Sequence, residues 1–290
     1  MNMQSVEGIL KQCDKKGLSF WEAVLEYDMQ SRHATREESL ERMSSVYQAM
    51  KEADDLYDAS LHSSSGLVGG DGKKILDALE AGLLLSGDFI GKAMSKAVKT
   101  AESNACMKRI VAAPTAGSCG VVPAVFLTAQ EQLNLPTEKM VEAMYVVAGL
   151  GQVIATRAFI SGAEGGCQAE VGSASAMAAG GLAYLKGGDS ECIAHACAMG
   201  MKNLLGLVCD PVAGLVEVPC VKRNVIGAVN AIACADMAVA GVRSAIPVDE
   251  VIDAMRSVGE SMPCSLRETA EGGLATTPTG NQIKKKLKHY

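Results

Sequence analysis

The sequence predicts an all-α protein: one large helical domain with Ala/Gly-rich central helices and a charged helical extension at its N-terminus. Alternation of apolar and polar residues over the length of a strand is nearly absent, and aromatic residues make up only 4% of the 290 residues. Apolar residues recur instead at helical spacing, often behind a capping residue. Small-residue segments such as residues 173–184 let helix backbones approach closely, so we expect tightly packed helices at the centre.

The N-terminal extension, residues 1–58, contains three predicted helices. Ser5 precedes the first, which carries apolar residues at helical spacing and which Gly17 can end. Ser19 opens the second and Thr35 the third, each followed three residues later by a glutamate, which is the capping-box pattern. We therefore expect a charged helical extension that packs on the rest of the domain.

A polar loop rich in glycine and serine, residues 60–72, connects the extension to a region rich in Ala, Gly and Met. Apolar spacing and capping residues predict further helices over residues 73–85, 88–104, 138–148 and 248–258, with another beginning at Val121. Gly259 can end the last of these helices. No repeat of fixed period and no long linker interrupts the chain, so we expect residues 1–290 to form a single domain.

Composition excludes several classes of protein. The net charge of −6 comes with only one basic cluster, residues 284–288, which reads as a solvated C-terminus, so we expect no nucleic-acid partner. The most apolar stretch, residues 141–160, contains Glu142 and Arg157, which indicates a buried helix and no membrane span. The N-terminus carries early acidic residues and does not resemble a signal peptide. We expect a cytoplasmic protein whose ten cysteines are reduced thiols or metal ligands.

Cys167, Cys209 and Cys220 stand in segments suited to presenting a thiolate. A glycine pair precedes Cys167, and prolines close to Cys209 and Cys220 prevent a helix from continuing through them. Backbone N–H groups in such loops can hydrogen-bond the sulfides of an iron–sulfur cluster. The spacing is not that of a compact ferredoxin-type run. From the residues alone, an iron–sulfur cluster, a structural zinc and inert thiols all stay open.

Most other cysteines read as small buried hydrophobes. This interpretation covers five positions: Cys13, Cys106, Cys192, Cys197 and Cys234. His195 lies between Cys192 and Cys197 in ordinary helical sequence, and it reads as a core or rim histidine. Cys119 and Cys264 are available as a fourth ligand if the site is a structural one, because structural zinc takes four protein ligands.

Four segments together resemble a known family: residues 63–70, 113–124, 161–172 and 209–224. The chain is similar to the α subunit of the two-subunit, iron–sulfur-dependent bacterial L-serine dehydratases, or L-serine ammonia-lyases. The resemblance extends over nearly the whole chain. It implies a helical catalytic domain that dehydrates and deaminates L-serine to pyruvate and ammonia. It also implies a separate β subunit, which other members carry as an N-terminal region of one longer chain.

The resemblance further implies a [4Fe–4S] cluster held by Cys167, Cys209 and Cys220, with the fourth iron open to substrate. An open iron can act as a Lewis acid on the β-hydroxyl of L-serine and help a poor leaving group depart. Some single-chain relatives end in a cysteine near the C-terminus. In this chain no cysteine follows Cys264, so a tail cysteine acting on the cluster is not expected.

Two loops are candidates for substrate binding. The first, residues 114–120, runs into the helix predicted at Val121, and free N–H groups at a helix N-terminus bind carboxylates readily. The second precedes Gly66. Taken alone, both loops read more simply as turns, but the resemblance favours a substrate role. The candidate residues are Ser63, Ser64, Ser65, Thr115, Gly117 and Ser118.

The base that removes the Cα proton is the least determined part of the site. His62 adjoins the serine loop and is the best local candidate among four histidines, since His33 lies in the charged extension, His195 in helical sequence and His289 in the tail. A base donated by the β subunit is an equally good alternative. Lysine and glutamate also stay open, because sequence gives no geometry.

Two rival functions stay open on the sequence. A pyridoxal-phosphate dehydratase needs a Schiff-base lysine and a glycine-rich phosphate loop, which the segment ending at Lys73 superficially offers. The helical pattern and the cysteine loops fit that class poorly. The other rival is a cluster- or zinc-bearing scaffold or redox sensor without catalysis.

Overall fold

The computed structural model describes residues 3–287, and within that range thirteen α-helices form without any strand beyond one isolated bridge. The α-helices are α1 (Val6–Lys16), α2 (Phe20–Arg32), α3 (Arg36–Asp55), α4 (Asp71–Glu80), α5 (Gly87–Ala105), α6 (Val121–Leu133), α7 (Thr137–Arg157), α8 (Gly162–Gly165), α9 (Ser173–Leu185), α10 (Ser190–Lys202), α11 (Cys220–Val239), α12 (Val248–Ser261) and α13 (Pro278–Leu287). The all-α prediction is confirmed. Lys288 and His289 lie outside the described residues.

The three helices of the N-terminal extension begin directly after the predicted capping residues, and α1 ends at Gly17 as predicted. The Ser5 hydroxyl accepts a 3.0 Å hydrogen bond from the amide of Gly8, and Gly17 closes α1 with a left-handed φ of 66°. At α3 the Glu38 amide donates to the Thr35 hydroxyl at 3.2 Å, and the Glu38 carboxylate accepts from the Thr35 amide at 2.8 Å. These local bonds fix the helix starts because they satisfy N–H groups that the helix itself leaves free.

Three predicted boundaries differ from the structure. Helix α4 ends at Glu80, and the predicted continuation to residue 85 is instead a turn. Helix α7 runs on to Arg157 because its apolar face continues through buried Val153 and Ile154. Helix α12 passes through Gly259, which was expected to end it. A Cβ at this glycine would lie 2.9 Å from the Cα of Gly165, so this glycine serves close packing between helices.

Helix α9 is the centre of the molecule, and all of its residues are buried. Helices α6, α7, α10 and α11 pack around it. Its glycines make that packing possible: a Cβ at Gly180 would lie 2.4 Å from Leu150 Cδ1, and one at Gly181 would lie 2.4 Å from Phe126 Cζ. The prediction of small-residue central helices is confirmed.

The described residues contain no helix with the length and apolar character needed to cross a bilayer. Residues 141–157 of the apolar stretch belong to α7, whose buried face contacts α2, α3 and α9.

Candidate functional site

The candidate site lies where the N-terminal ends of α6, α9 and α11 approach one another. The loop 113–120 leads into α6, and a π-helical turn, Gln168–Gly172, follows Cys167 and leads into α9. Cys220 is the first residue of α11. Each helix N-terminus carries a partial positive charge, so anionic groups are favoured at this end of the bundle.

Asn224 ties the loop 113–120 to α11. Its side-chain oxygen accepts from the amide of Gly120 at 2.8 Å, and its amide group donates to the carbonyls of Gly117 at 2.9 Å and Cys220 at 3.0 Å. The side chain is 1% exposed. Buried polar groups with satisfied partners hold their surroundings in one arrangement. Asn224 therefore fixes the predicted substrate loop against the helix that begins with Cys220.

The three predicted ligand cysteines are free thiols on three separate backbone segments. Cys167 and Cys209 are buried and pack in one small cluster, and Cys220 is partly exposed. An extended segment holds Cys209: its amide donates to the Leu266 carbonyl at 2.8 Å, and its carbonyl accepts from the Glu268 amide at 2.8 Å. The prediction that Cys209 and Cys220 stand in a loop and at a helix end is confirmed.

The three thiols influence one another electrostatically. Burial raises the pKa of Cys209 first, and negative charge on Glu170, Cys167 and Cys220 raises it further. Burial and the charge of Cys167 raise the pKa of Cys220 to about 12. Burial likewise raises the pKa of Cys167 to about 11, against the opposing effect of the Arg223 cation. The site therefore favours the protonated thiols over the thiolates, unless a cation or a bound metal group compensates the negative charge of the thiolates.

Within residues 3–287, no three His, Cys, Asp or Glu side chains lie close enough together to hold one metal ion. Ligands of a single zinc sit about 2.3 Å from the metal and therefore close to one another. In an iron–sulfur cluster each cysteine binds a different iron, so the sulfurs stand further apart. Three cysteine thiols on separate segments are donors of the kind that hold iron–sulfur clusters.

Arg223 supplies a cation that acts on Cys167. Its guanidinium donates to the Val208 carbonyl at 2.7 Å, and its Nη2 lies 2.9 Å from Oδ1 of buried Asp210 as an ion pair. Oδ2 of Asp210 accepts from the Leu274 amide at 2.8 Å. This network fixes the segment around Cys209 from both sides and keeps a positive charge beside a thiol that must ionise to bind a metal.

Glu170 is the acidic side chain at the centre of this arrangement. It lies on the π-helical turn, and π-helical turns occur frequently at functional sites. Its Oε1 accepts a 2.7 Å hydrogen bond from the Thr115 hydroxyl, and its Oε2 lies 4.0 Å from the Cys209 sulfur. Burial is the main cause that raises its pKa, and the Thr115 bond opposes this rise.

Two glycines make room for Glu170. A Cβ at Gly117 would lie 2.9 Å from Oε1, and a Cβ at Gly162 would lie 2.8 Å from Oε2 and 2.9 Å from the Cys209 sulfur. The sequence interpretation did not single out Glu170. The available signal was a charged residue within a segment of small and apolar residues that continues into the fully buried α9.

The predicted serine loop meets the segment before Cys220 through Glu217. The Ser63 hydroxyl donates to Oε2 of Glu217 at 3.1 Å, and the Ser65 hydroxyl donates to the same oxygen. Ser63 is buried and Ser64 is exposed. The structure therefore brings two of the three serines to the segment that precedes Cys220, where their hydroxyls donate to a carboxylate.

In the other predicted substrate loop, Thr115 and Ser118 face each other. Their hydroxyl oxygens lie 3.1 Å apart, and Ser118 is fully buried. Gly117 packs against Glu170 and accepts from Asn224, as described above. This loop is thus joined to the Cys167 segment through Glu170 and to the Cys220 segment through Asn224.

His62, the predicted base, is exposed at the edge of the serine loop, and its Nδ1 lies 3.2 Å from the Ser60 carbonyl oxygen. Its role stays a prediction.

His195 accepts from the Ser244 amide at its Nδ1 (3.2 Å), as a rim histidine does. Buried Cys119 points its sulfur towards the Thr100 carbonyl, and Cys264 is exposed. Lys73 is exposed and pairs with Asp77, which is a poor setting for a Schiff-base lysine.

A family model described as "Serine dehydratase alpha chain" matches residues 15–275. The chain is 47% identical over 284 residues to the "Probable L-serine dehydratase, alpha chain" of Bacillus subtilis (strain 168), covering 98% of this chain and 95% of that protein. It is 42% identical over 284 residues to the "L-serine dehydratase, alpha chain" of Peptoniphilus asaccharolyticus, covering 98% and 97%.

A longer relative also matches along nearly the whole chain. The "L-serine dehydratase" of Haemophilus influenzae (strain ATCC 51907 / DSM 11121 / KW20 / Rd) is 35% identical over 282 residues. These cover 94% of this chain but only 61% of that protein. The longer relative therefore contains a region with no counterpart in the aligned residues.

Proposed function

The chain belongs to the serine dehydratase alpha chain family, and we propose that it is the catalytic chain of an iron–sulfur-dependent lyase that converts L-serine to pyruvate and ammonium. Elimination of water from L-serine leaves 2-aminoacrylate, whose imine form reacts with water to give pyruvate and ammonium without help from the enzyme. The relatives' printed names support serine dehydration, and the cysteine geometry supports the iron–sulfur type.

The mutual proximity of Cys167, Cys209 and Cys220 carries the proposal. Cys167 and Cys209 pack in one small cluster, Cys220 begins α11, and the charge of Cys167 raises the pKa of Cys220. Because residue 162 is a glycine, no Cβ crowds the Cys209 sulfur from that position. We assign these three thiols as ligands of a [4Fe–4S] cluster. When bound, such a cluster supplies a Lewis-acidic iron that assists departure of the β-hydroxyl.

We assign substrate binding to the two loops beside the thiols. The loop carrying Thr115, Gly117 and Ser118 ends at the N-terminus of α6, where the helix dipole favours the substrate carboxylate. The loop carrying Ser63, Ser64 and Ser65 is fixed by Glu217, which leaves the exposed hydroxyl of Ser64 to reach outward. Both loops hold a small polar molecule in one orientation. The entropy cost of orienting the substrate is therefore met on binding and not at the reaction step.

His62 is this chain's candidate for accepting the Cα proton. Its exposure means that another chain must cover it if it is to act away from bulk water. The region that the Haemophilus relative has in addition supports the existence of a separate partner, which we equate with the β subunit. The same partner is the alternative source of the base.

The decisive experiment is an anaerobic iron and sulfide analysis combined with a serine-to-pyruvate assay, with and without the partner chain. We expect about four irons per chain, as in a [4Fe–4S] cluster, and pyruvate formation that requires the partner. Iron at that level without turnover in the complete complex would favour a redox sensor. Turnover with bound pyridoxal phosphate and no iron would overturn the proposed mechanism.

A further inference from the structure

Glu170 has a setting that the assignments above do not explain. Its Oε1 is held by the Thr115 hydroxyl, and its Oε2 lies beside the Cys209 sulfur with Gly162 as its neighbour on the other side. Among residues 3–287, no lysine, arginine or histidine forms an ion pair with it; the nearby charge that acts on it is the Glu268 carboxylate. The structure therefore fixes a carboxylate between the loop that carries Thr115 and the segment that carries Cys209.

Two other acidic side chains of the site have different surroundings. Asp210 pairs with Arg223, and Glu217 accepts from two serine hydroxyls. Glu217 is also only 6% exposed, whereas Glu170 is partly exposed. A small molecule can therefore reach Glu170, which lies next to the thiol of Cys209 and to the loop 113–120. We call Cys167, Cys209 and Cys220 the cysteine trio.

We propose that Glu170 binds the α-ammonium group of the amino-acid substrate. This inference rests on the proposed function. An ammonium group is complementary to a carboxylate, and the Thr115 bond holds the Glu170 carboxylate in place for a charge-assisted hydrogen bond. The substrate carboxylate then lies towards the N-terminus of α6, and its β-hydroxyl lies on the side of the cysteine trio. Glu170 thus selects amino acids over hydroxy acids of the same shape.

The arrangement also explains the glycines. Gly117 and Gly162 each place bare backbone close to the carboxylate of Glu170, so a side chain at either position would displace it. Neither glycine has a left-handed backbone that would require glycine for conformational reasons. Their lack of a side chain is explained by the room that Glu170 needs.

The test measures binding to the complete complex, loaded with its cluster under anaerobic conditions, by calorimetry. The probes are L-alanine, which has the ammonium but no β-hydroxyl to eliminate, and 3-hydroxypropionate, which has the hydroxyl and carboxylate but no ammonium. We expect Glu170→Gln to weaken L-alanine binding about 30-fold, the lower range for losing one member of a desolvated charge pair, with 3-hydroxypropionate changed less than about threefold. Glu170→Asp keeps the charge, so its loss is expected to be smaller.

Glu164→Gln is the matched control, because Glu164 is an exposed carboxylate on the short helix α8 of the same segment, and we expect it to leave both affinities within about twofold. Iron content and the cluster absorption report that each variant is folded and loaded. Normal serine turnover by the wild-type complex, with L-alanine affinity unchanged in Glu170→Gln or with both probes weakened equally, would overturn this assignment alone. A wild-type complex that neither turns over L-serine nor binds L-alanine would overturn the assignment and the proposed function together.

Discussion

The Thr115 hydroxyl donates a 2.7 Å hydrogen bond to Oε1 of Glu170, across 55 positions of sequence. This bond joins the loop before α6 to the π-helical turn that follows Cys167, and it orients a carboxylate whose Oε2 lies 4.0 Å from the Cys209 sulfur. The two residues form a single unit, so a change in either is expected to act through the other.

Replacing Thr115 by valine removes the donor and keeps the shape. We expect the KM for L-serine to rise about tenfold, which corresponds to losing about one hydrogen bond to a charged group. Iron content should stay unchanged, because Thr115 is not a ligand. Thr115→Ser keeps the hydroxyl and should restore most of the affinity; equal KM values for the valine and serine variants would contradict this role.

Each proposed ligand cysteine should be required for the cluster. Cys167→Ala, Cys209→Ala and Cys220→Ala are expected to lose bound iron when purified anaerobically, because each removes one of three protein ligands. Cys192→Ala is the control, since Cys192 is buried in α10 away from the trio, and it should keep its iron. Iron lost from the Cys192 variant but retained by the Cys209 variant would refute the ligand set.

Gly162→Ala tests whether the close approach of Glu170 and Cys209 matters. The new methyl group would lie 2.8 Å from Glu170 Oε2 and 2.9 Å from the Cys209 sulfur, so both must move. We expect about 1–3 kcal/mol lower stability from overpacking, with less retained iron. Gly172→Ala is the matched control, because its nearest neighbours lie at an ordinary 3.7 Å. Equal iron content in both variants would argue against a tight site at Gly162.

Asn224→Ala should destabilise the fold and the site together. The change orphans the amide of Gly120 and the carbonyl of Gly117, both of which depend on this buried side chain. We expect a loss of about 2–6 kcal/mol in the free energy of unfolding, at about 1–3 kcal/mol for each of the two orphaned groups. Urea denaturation with and without iron measures this change in the free energy of unfolding. A loss under about 0.5 kcal/mol, the usual size for a surface substitution, would show that the loop does not depend on Asn224.

His195 predicts a pH dependence of stability that is unrelated to the cysteine trio. Burial and then the Arg243 cation lower the pKa of His195, against the weaker opposing effects of Glu191 and Asp189, while Lys202 also lowers it. The Ser244 amide donates to its neutral Nδ1 at 3.2 Å, a bond that protonation removes.

A histidine whose pKa is lowered in the folded state contributes stability above its unfolded pKa of about 6.5, and this contribution disappears as the pH falls through the folded pKa. His195→Asn keeps an acceptor for Ser244 but does not titrate. Urea denaturation at about pH 8 and about pH 5 should therefore show a larger loss of stability in the wild type than in the variant. Identical losses in the two proteins would contradict the assignment.

Sequence alone determined the all-α class, the capped helices of the N-terminal extension and the small-residue central helix α9. These features depend on residues within about one or two helical turns of one another, so they are visible in the local pattern. The helix ends were less well predicted. Gly259 matches a helix terminator in sequence, but its role depends on Gly165, almost a hundred positions away.

The family and the three cysteines were also visible in the sequence, because their motifs are contiguous segments. What the tertiary structure decided is how these segments meet. Glu170 accepts a hydrogen bond from Thr115, and Glu217 accepts from Ser63 and Ser65. Asn224 donates to the carbonyl of Gly117 and so fixes that loop. Packing of α6, α9 and α11 brings these distant positions within hydrogen-bonding distance, and no local propensity encodes a distance between residues that are far apart in the chain.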